Sequence, residues 1–515
     1  MKYSGFLAAV VGSLVLSGSL TCSPAMAAIP SESCDTESVQ AMASADTTVA
    51  FAAREAGGCR VVGYVTTHDP SPNKVLFVLG LPDNFTGTYI YLGMGGAGGQ
   101  LPTLRSQFLA KGYVLAGSDG GSGAKNMADF SFMRDPAKSL DFRGRGVHVT
   151  AAATQQITKA YYKQNVAHRY ITGCSGGGQM GLTSALNRGT EDFDGFIVGA
   201  TPWPGDPYLP NVFRIAQYLQ THPDGWLPPD LMARADSAIL AAYDATDGAA
   251  DGIIADQRNI KTFDLDILRK IGFTPAQIAT FELIHDPHKV AGAPGDAVHP
   301  GYPVTHVAAW SAFLLGSKPP PWGETDSHSA SEIAAQGAPF IHIMADTDTR
   351  SSFPGRDYVA VSNPAELSRI AMADGRDASG TNFSKLAASS AKMIVYHGVD
   401  DQAMSYLETV KSYEALRGKY PDAANWLRVF TVPGLMHCAG GSGPTDVEDR
   451  LVDALANWVE RGQAPDTLVA ARSTPVKGVE RTFRLCAEPT RASFKGGGLD
   501  PKQADNWECR ALPEH

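Results

Sequence analysis

The sequence predicts an α/β fold with a mostly parallel central sheet, helices on both faces and a large inserted region. Short apolar runs rich in β-branched and aromatic residues alternate with helical segments in the first half of the chain. This alternation stops near residue 204 and resumes near residue 385. At 515 residues the chain is also longer than one simple core usually holds. Strands that alternate with helices are typical of parallel sheets covered on both sides.

The first part of the core is predicted over residues 28–204. Five segments have the composition of strands: "KVLFVLGL", "TYIYLGMG", "GYVLAGSD", "HRYITGCS" and "FDGFIVGA". Two segments between them, "VHVTAAATQQITKAYYKQ" and "GQMGLTSALNRG", have the length and apolar spacing of helices.

Residues 205–384 are predicted to form an inserted domain, called the lid below. Proline, glycine and acidic turns such as "GSKPPPWGETDSHSA" replace the alternation there. Strand-like runs return at "KMIVYHGVDD" and "LRVFTVPGLMHC", and the helix "DVEDRLVDALANWVERG" follows. Residues 385–515 are therefore predicted to complete the core and to end in a disulfide-bonded segment.

The N-terminus is typical of a secretory signal peptide over residues 1–27. Lys2 precedes an apolar run that ends near Leu20, and Ala25 and Ala27 fit the small-residue rule for cleavage. The alternative is an uncleaved membrane anchor, but about fifteen apolar residues are short for a span. A secreted or periplasmic protein with no membrane span after cleavage is expected.

The net charge of −10 and the pI near 5.7 argue against a nucleic-acid partner. Binding to a phosphate backbone needs clustered Lys and Arg side chains. No sustained run of basic residues occurs in the chain.

The segment from Gly173 to Gly177 matches G-x-S-x-G, in which a tight strand-to-helix turn exposes a serine hydroxyl. The strand-like "RYIT" before it and the helical "GGQMGLTSAL" after it supply the expected context. The alternative is a glycine-rich turn of a nucleotide-binding fold, but no acidic partner stands at the distance that this fold expects. Ser175 is therefore a candidate nucleophile.

A serine nucleophile needs a base and an orienting acid, which follow it in the order Asp and His in α/β-hydrolases. Asp400 and Asp401 come after one predicted strand, and His437 comes after the next. Each of these loop residues is unremarkable by itself, and the residues leave the choice between the two aspartates open.

Six cysteines remain once Cys22 leaves with the signal, and six can pair completely in an oxidising compartment. Proximity favours two pairs, Cys34 with Cys59 and Cys486 with Cys509. Cys174 and Cys438 are then left over, next to Ser175 and His437. If His437 bonds Ser175, the two cysteines fall within disulfide range. The alternative is two buried thiols that never meet.

The lid segment "YDATDGAADGIIAD" carries Asp244, Asp247 and Asp251 with glycines between them. Such spacing lets a loop wrap a hard cation such as Ca²⁺, with backbone carbonyls completing the ligands. Read by itself, the segment is more often an acidic turn.

These residues together resemble the tannase and feruloyl esterase family, which includes mono(2-hydroxyethyl) terephthalate hydrolase. The resemblance is strongest from "DFRGRGVHVT" through "ITGCSGGGQMG" to "FDGFIVGATP", and it returns at "YHGVDD" and "GLMHC". It implies an α/β-hydrolase core with an inserted lid, a triad of Ser175, Asp401 and His437, and the Cys174–Cys438 disulfide beside it. The family pattern thus selects Asp401 over Asp400.

The resemblance also implies esterase activity on small esters of aromatic acids, such as feruloyl, galloyl or terephthaloyl esters. Gly176 and either Gly95 or Gly96 would supply the oxyanion N–H groups. Structural calcium would be bound by the three lid aspartates, with carbonyls from Ala249 and Ile253.

Two departures from the family pattern occur. Tyr243 stands where many members have a cysteine, and the run "GMGGAGGQ" is one residue shorter than usual. Amide or lactone hydrolysis on the same core, or a non-catalytic binding protein on this scaffold, are the alternatives.

Overall fold

The computed structural model describes residues 34–125, 129, 131–203, 208–289, 298–316, 318–320 and 382–511. The predicted signal peptide, residues 1–27, lies outside the described residues. Within the described ranges, no helix has both the length and the apolar content needed to cross a membrane.

A nine-stranded sheet forms the centre of the fold, in the order β1-β2-β3-β5-β4-β6-β7-β10-β11. Its strands are β1 (Thr47–Glu55), β2 (Gly58–Thr67), β3 (Asn73–Pro82), β4 (Thr88–Leu92), β5 (Val114–Ser118), β6 (His168–Cys174), β7 (Gly195–Gly199), β10 (Lys392–Gly398) and β11 (Leu427–Val432). The pairs from β5 through β11 are parallel, whereas β1, β2 and β3 pair antiparallel with one another and with β5. The predicted mostly parallel sheet is confirmed.

Helices cover both faces of this sheet, and other helices build the lid. They are α1 (Thr36–Gln40), α2 (Ser106–Ala110), α3 (Pro136–Leu140), α4 (Gly146–Tyr162), α5 (Gly176–Arg188), α6 (Tyr208–Thr221), α7 (Pro229–Tyr243), α8 (Asp266–Lys270), α9 (Pro275–His285), α10 (Ser384–Ala387), α11 (Tyr406–Lys419) and α12 (Val447–Arg461). Successive residues of one strand enter opposite cores: Ile171 packs with α4 and α5, and Tyr170 packs with α12. A strand buried on both faces must be apolar throughout, which explains the continuous apolar runs in the sequence.

The lid helices α6, α7, α8 and α9 share a separate hydrophobic core. Phe281 of α9 packs against Trp310, which lies in the 3₁₀ segment Val307–Ala312, with ring centroids 5.1 Å apart. Two short antiparallel strands, β8 (His288–Lys289) and β9 (Val298–His299), follow α9 in the chain and precede this 3₁₀ segment. The last sheet strand before the lid ends at Gly199 and the next begins at Lys392.

The C-terminal segment forms two antiparallel hairpins, β12 (Thr467–Thr474) with β13 (Gly478–Cys486), and β14 (Thr490–Phe494) with β15 (Trp507–Ala511). A disulfide joins Cys486 to Cys509, and another joins Cys34 to Cys59. These are the two pairs that proximity in the sequence favoured.

Candidate active site

Ser175 lies in a sharp turn between a strand and a helix. β6 ends at Cys174 and α5 begins at Gly176. The Ser175 backbone adopts φ 57° and ψ −124°, a conformation that costs a non-glycine residue free energy. The turn is held by a hydrogen bond from the Ser175 N–H to the Gly199 carbonyl (2.9 Å). Such a turn presents the serine hydroxyl clear of the backbone at the end of the sheet.

Glycines allow this turn to pack closely against the end of β4. A Cβ atom on Gly173 would lie 2.5 Å from the Gly177 carbonyl carbon, and one on Gly93 would lie 2.6 Å from the Gly177 oxygen. A side chain at Gly93 would push the loop after β4 away from α5, and one at Gly173 would push α5 away from the end of β6. The glycine-rich composition is therefore a packing requirement of the serine turn.

The loop after β4 brings Gly96 against the first residue of α5. A Cβ atom on Gly176 would lie 2.8 Å from Gly96 N and 2.7 Å from Gly96 O. The Gly176 N–H, at the start of a helix, has no partner within that helix. Among the residues that the structure describes, no acceptor is bonded to the Gly96 N–H. Two backbone donors thus lie beside the serine turn.

Asp401 and His437 are hydrogen-bonded across the loops that follow β10 and β11. His437 Nδ1 lies 2.8 Å from Asp401 Oδ2, and the backbone N–H of His437 donates to Gln402 Oε1 at 3.2 Å. Asp401 Oδ1 accepts from the N–H groups of Ala403 (2.8 Å) and Met404 (2.9 Å). The acidic side chain is fully buried and the histidine ring is mostly buried.

The surroundings of Asp401 favour its ionised form. Burial by itself would raise its pKa, but the charge of His437 and the hydrogen bonds from His397 and His437 hold the pKa well below the ordinary value. An ionised carboxylate can fix the orientation of His437 with Nδ1 as donor, which leaves Nε2 free to accept a proton.

Asp400, the other candidate acid, faces the lid. Its backbone N–H donates to the Leu435 carbonyl at 3.0 Å, and its carboxyl lies near Thr305, whose hydroxyl donates to the Val399 carbonyl at 3.1 Å. Burial raises the pKa of Asp400 to about 6, an effect that nearby His306 partly offsets. His306 Nδ1 is bonded to Asp236 Oδ2 of α7 at 3.0 Å. The two adjacent aspartates therefore occupy different environments, and it is Asp401 that bonds His437.

A disulfide connects the serine turn to the histidine loop. Cys174 and Cys438 are bonded with a Cα–Cα separation of 5.7 Å, although 264 positions separate them in the chain. Each is the immediate neighbour of a candidate residue, Ser175 in one segment and His437 in the other. Cys438 adopts the left-handed φ of 64°. The bridge therefore fixes the distance between the two loops.

Two features near His437 were not anticipated from the sequence. Phe313 of the lid meets the imidazole edge to face, with ring centroids 5.5 Å apart. His397, the penultimate residue of β10, bonds Asp401 Oδ2 from the other side at 3.1 Å. A histidine in an apolar strand gives little signal, although its position four residues before Asp401 places it at the same edge of the sheet.

The lid loop with Asp244, Asp247 and Asp251 carries the donor atoms that calcium requires. Neither backbone carbonyl of the mostly buried residues Ala249 and Ile253 accepts a hydrogen bond from any described donor. Burial and the charges of the neighbouring carboxylates raise the pKa of Asp247 to about 7. A bound divalent cation would bond the two free carbonyls and offset the repulsion between the carboxylates, so the residues fit a calcium site in the kind of ligand they offer.

The side chains of this loop also have protein partners. Asp244 accepts hydrogen bonds from the N–H groups of Gly252 and Ile253, and Asp251 is paired with Arg481 of β13. The three aspartates do not form a group with oxygen atoms all within 4.8 Å of one another. In the described part of the chain, the only group of three such ligand atoms this close together is a ring nitrogen of His148 with carboxylate oxygens of Glu191 and Asp192. Tyr243 Oη accepts from the Asp264 N–H at 2.9 Å, which joins the start of the loop to the segment before α8.

A sequence model described as "Tannase and feruloyl esterase" matches residues 59–510. The chain is 27% identical over 490 residues to a probable feruloyl esterase B-1 of Aspergillus flavus, covering 88% of this chain and 86% of that protein. It is also 27% identical over 524 residues to a mono(2-hydroxyethyl) terephthalate hydrolase of Piscinibacter sakaiensis, covering 88% and 85%.

Solved structures share the fold. The feruloyl esterase B of Aspergillus oryzae superposes with a TM-score of 0.76 at 20% identity, covering 92% of this chain and all of that one. A tannin acyl hydrolase of Aspergillus niger gives a TM-score of 0.73 at 19% identity, covering 94% and 97%. The core is thus an α/β-hydrolase fold. Since the sequence match spans most of its length, this chain belongs to the tannase and feruloyl esterase family, whose members are carboxylic ester hydrolases.

Proposed function

We propose that this chain is a serine carboxylic ester hydrolase whose triad is Ser175, His437 and Asp401. The observation that carries the proposal is the pair of links at His437. A hydrogen bond joins its Nδ1 to a buried, ionised aspartate, and the adjacent disulfide ties its loop to the serine turn. Nucleophile, base and orienting acid are the three parts that acyl transfer needs.

In the proposed reaction, Ser175 Oγ attacks the ester carbonyl carbon while His437 Nε2 takes the hydroxyl proton. The tetrahedral intermediate then collapses, its bond to the alcohol oxygen breaks, and His437 returns the proton to the leaving alcohol. Water, deprotonated by His437 in the same way, hydrolyses the acyl-enzyme. Asp401 stays ionised throughout and stabilises the imidazolium that forms in each half-reaction.

The oxyanion of the tetrahedral intermediate would be stabilised by the N–H groups of Gly176 and Gly96. Both lie beside Ser175, and preorganised backbone donors of this kind lower the barrier without reorganising during the reaction. The close approach of Gly96 to Gly176 favours Gly96 over Gly95 for this role.

Small esters of aromatic acids are the proposed substrates. The relatives include feruloyl esterases and a hydrolase of a terephthalate monoester, both named for an aromatic acyl group. Phe313 adds an aromatic surface next to His437, against which a flat acyl or alcohol group could pack. The three disulfides are consistent with the proposed secreted or periplasmic location, since disulfides persist in oxidising compartments.

Structural calcium in the lid is part of the proposal. Asp244, Asp247 and Asp251 would bind it together with the carbonyls of Ala249 and Ile253. Calcium would supply charge compensation and cross-link the loop, and it would take no part in acyl transfer.

A fluorophosphonate probe combined with an ester panel tests the proposed function. Covalent labelling is expected at Ser175, and Ser175→Ala should abolish both labelling and turnover. Feruloyl, galloyl and mono-terephthaloyl esters should be cleaved with higher kcat/KM than alkyl acetates. Preference for the matching amides or lactones would point to the other hydrolase reactions, and an unlabelled protein with no turnover would point to a non-catalytic binding protein.

A further inference from the structure

Asp401 is bonded by two histidines. His437 Nδ1 and His397 Nε2 both reach Oδ2, at 2.8 and 3.1 Å, while two backbone N–H groups bond Oδ1. A carboxylate offers about four acceptor positions on its two oxygens. All four positions of Asp401 are therefore used, and the plane of its carboxylate is fixed.

The partners of His397 determine which nitrogen carries its proton. Nε2 faces Asp401 Oδ2 and the Met404 carbonyl (3.1 Å), both of which can only accept, so Nε2 must be the donor. Nδ1 lies 2.7 Å from the hydroxyl of Thr409 in α11, a group that can either donate or accept. Both His397 and Thr409 are 1% exposed, so water cannot replace either bond. The two bonds fix the ring of His397 in one orientation, with Nε2 toward Asp401.

We propose that His397 is a positioning residue for the triad, a donor that fixes the direction of the Asp401 carboxylate toward His437. This inference rests on the proposed function, since it assigns a role within that same site. The task needs only the Nε2–H donor, because a carboxylate held in one plane holds the imidazole of His437 in the direction that proton transfer from Ser175 requires.

Thr409 completes the arrangement from the next element. Its hydroxyl is bonded to His397 Nδ1, which keeps the opposite nitrogen, Nε2, aimed at Asp401. The chain of contacts runs from Thr409 through His397 and Asp401 to His437, so α11 is connected to the site although it contributes no triad residue.

Two amide substitutions at His397 separate positioning from packing. In His397→Gln the side-chain amide reaches the place of Nε2 and can still donate to Asp401, whereas in His397→Asn it reaches only the place of Nδ1, near Thr409. Both are polar and smaller than histidine, so their effects on melting temperature should be similar. We expect His397→Gln to retain kcat to within about tenfold of the wild type, the loss that one imperfect hydrogen bond causes.

His397→Asn should lower kcat by about 100-fold with little change in KM, because the misdirected acid matters chiefly in the transition state. Equal kcat values in folded Gln and Asn variants would overturn the positioning role. If neither variant folds, Thr409→Val decides: a kcat lowered about tenfold supports the proposal, and an unchanged kcat overturns it. Ser175→Ala in the same assays keeps the two proposals apart, because turnover that survives Ser175→Ala refutes the proposed function itself.

Discussion

Cys174 and Cys438 are bonded to each other, and each is the chain neighbour of a proposed triad residue. The bridge closes a loop of 264 residues that contains the whole lid. Movement of the lid could otherwise shift the histidine loop relative to the serine turn. The disulfide is a covalent link that holds the two loops together directly at the edge of the sheet.

Replacing Cys174 and Cys438 together by alanine is expected to lower kcat by about 100-fold, the loss typical of a misplaced catalytic group. The matched control is alanine at both Cys486 and Cys509, a pair that encloses only 23 positions at the C-terminus. The control should lower the melting temperature, by loss of about 3 kcal/mol of stability, and leave kcat unchanged well below that temperature. Similar kcat values for the two double variants would show that the bridge serves stability alone.

Asp401→Asn is expected to lower kcat by roughly 10⁴-fold, because an amide can neither keep Nδ1 of His437 as the donor nor stabilise its imidazolium. Asp400→Asn should change kcat less than tenfold, since its side chain contacts the lid residue Thr305 and not His437. Steady-state kinetics on one aryl ester compare the pair. The opposite ranking would assign the orienting role to Asp400.

The strands that were predicted from the sequence are those buried on both faces. Segments such as "HRYITGCS" and "KMIVYHG" are continuous apolar runs because helices cover both sides of β6 and β10. The antiparallel strands β1 and β2 were not predicted individually. Alternate residues of β2 are buried, but Gly63 and Thr67 hold two of the buried positions and Val62 and Tyr64 two of the outward ones, so the alternation does not show in the residue types.

The residues of the site were predictable where they follow parallel strands. Ser175 follows β6, Asp401 follows β10 and His437 follows β11, and the carboxyl ends of such strands meet at one edge of the sheet. His397 and Phe313 could not be found in this way. One lies inside a buried strand and resembles a core residue, and the other depends on how the lid packs on the core.

Asp400→Asn is also expected to change how stability depends on pH. The folded-state pKa of Asp400, about 6, lies above the ordinary value of 3.8, so the folded protein holds this proton more tightly than the unfolded chain. The contribution of Asp400 to the stability of the fold is therefore greatest at pH values below the ordinary pKa. It is lost as the pH rises toward and through the folded-state pKa. The hydrogen bond to Asp236 raises the pKa of His306. Its contribution to stability is therefore also lost as the pH rises.

Chemical denaturation near pH 5 and pH 8 measures this effect. Relative to wild type, Asp400→Asn should gain on the order of 1 kcal/mol more stability at the higher pH. Asp505→Asn, at a side chain that is 93% exposed, serves as the control and should follow the wild-type pH dependence. Parallel pH dependences for wild type and Asp400→Asn would mean that Asp400 is not held protonated by burial.

Removal of calcium is expected to destabilise the lid and to spare the chemistry. A cation that binds only the folded state stabilises it by about 2.7 kcal/mol at a hundredfold excess over Kd. Chelation should lower the melting temperature, added calcium should restore it, and hydrolysis of a small unhindered ester should survive. Asp247→Asn should abolish the response to calcium, because this buried carboxylate is one of the proposed ligands. Asp266→Asn, on the exposed face of α8, should keep the response.

Arg481 already pairs with Asp251. A protein that binds no calcium and melts at the same temperature with chelator would therefore show that this ion pair and the backbone N–H groups suffice to hold the loop.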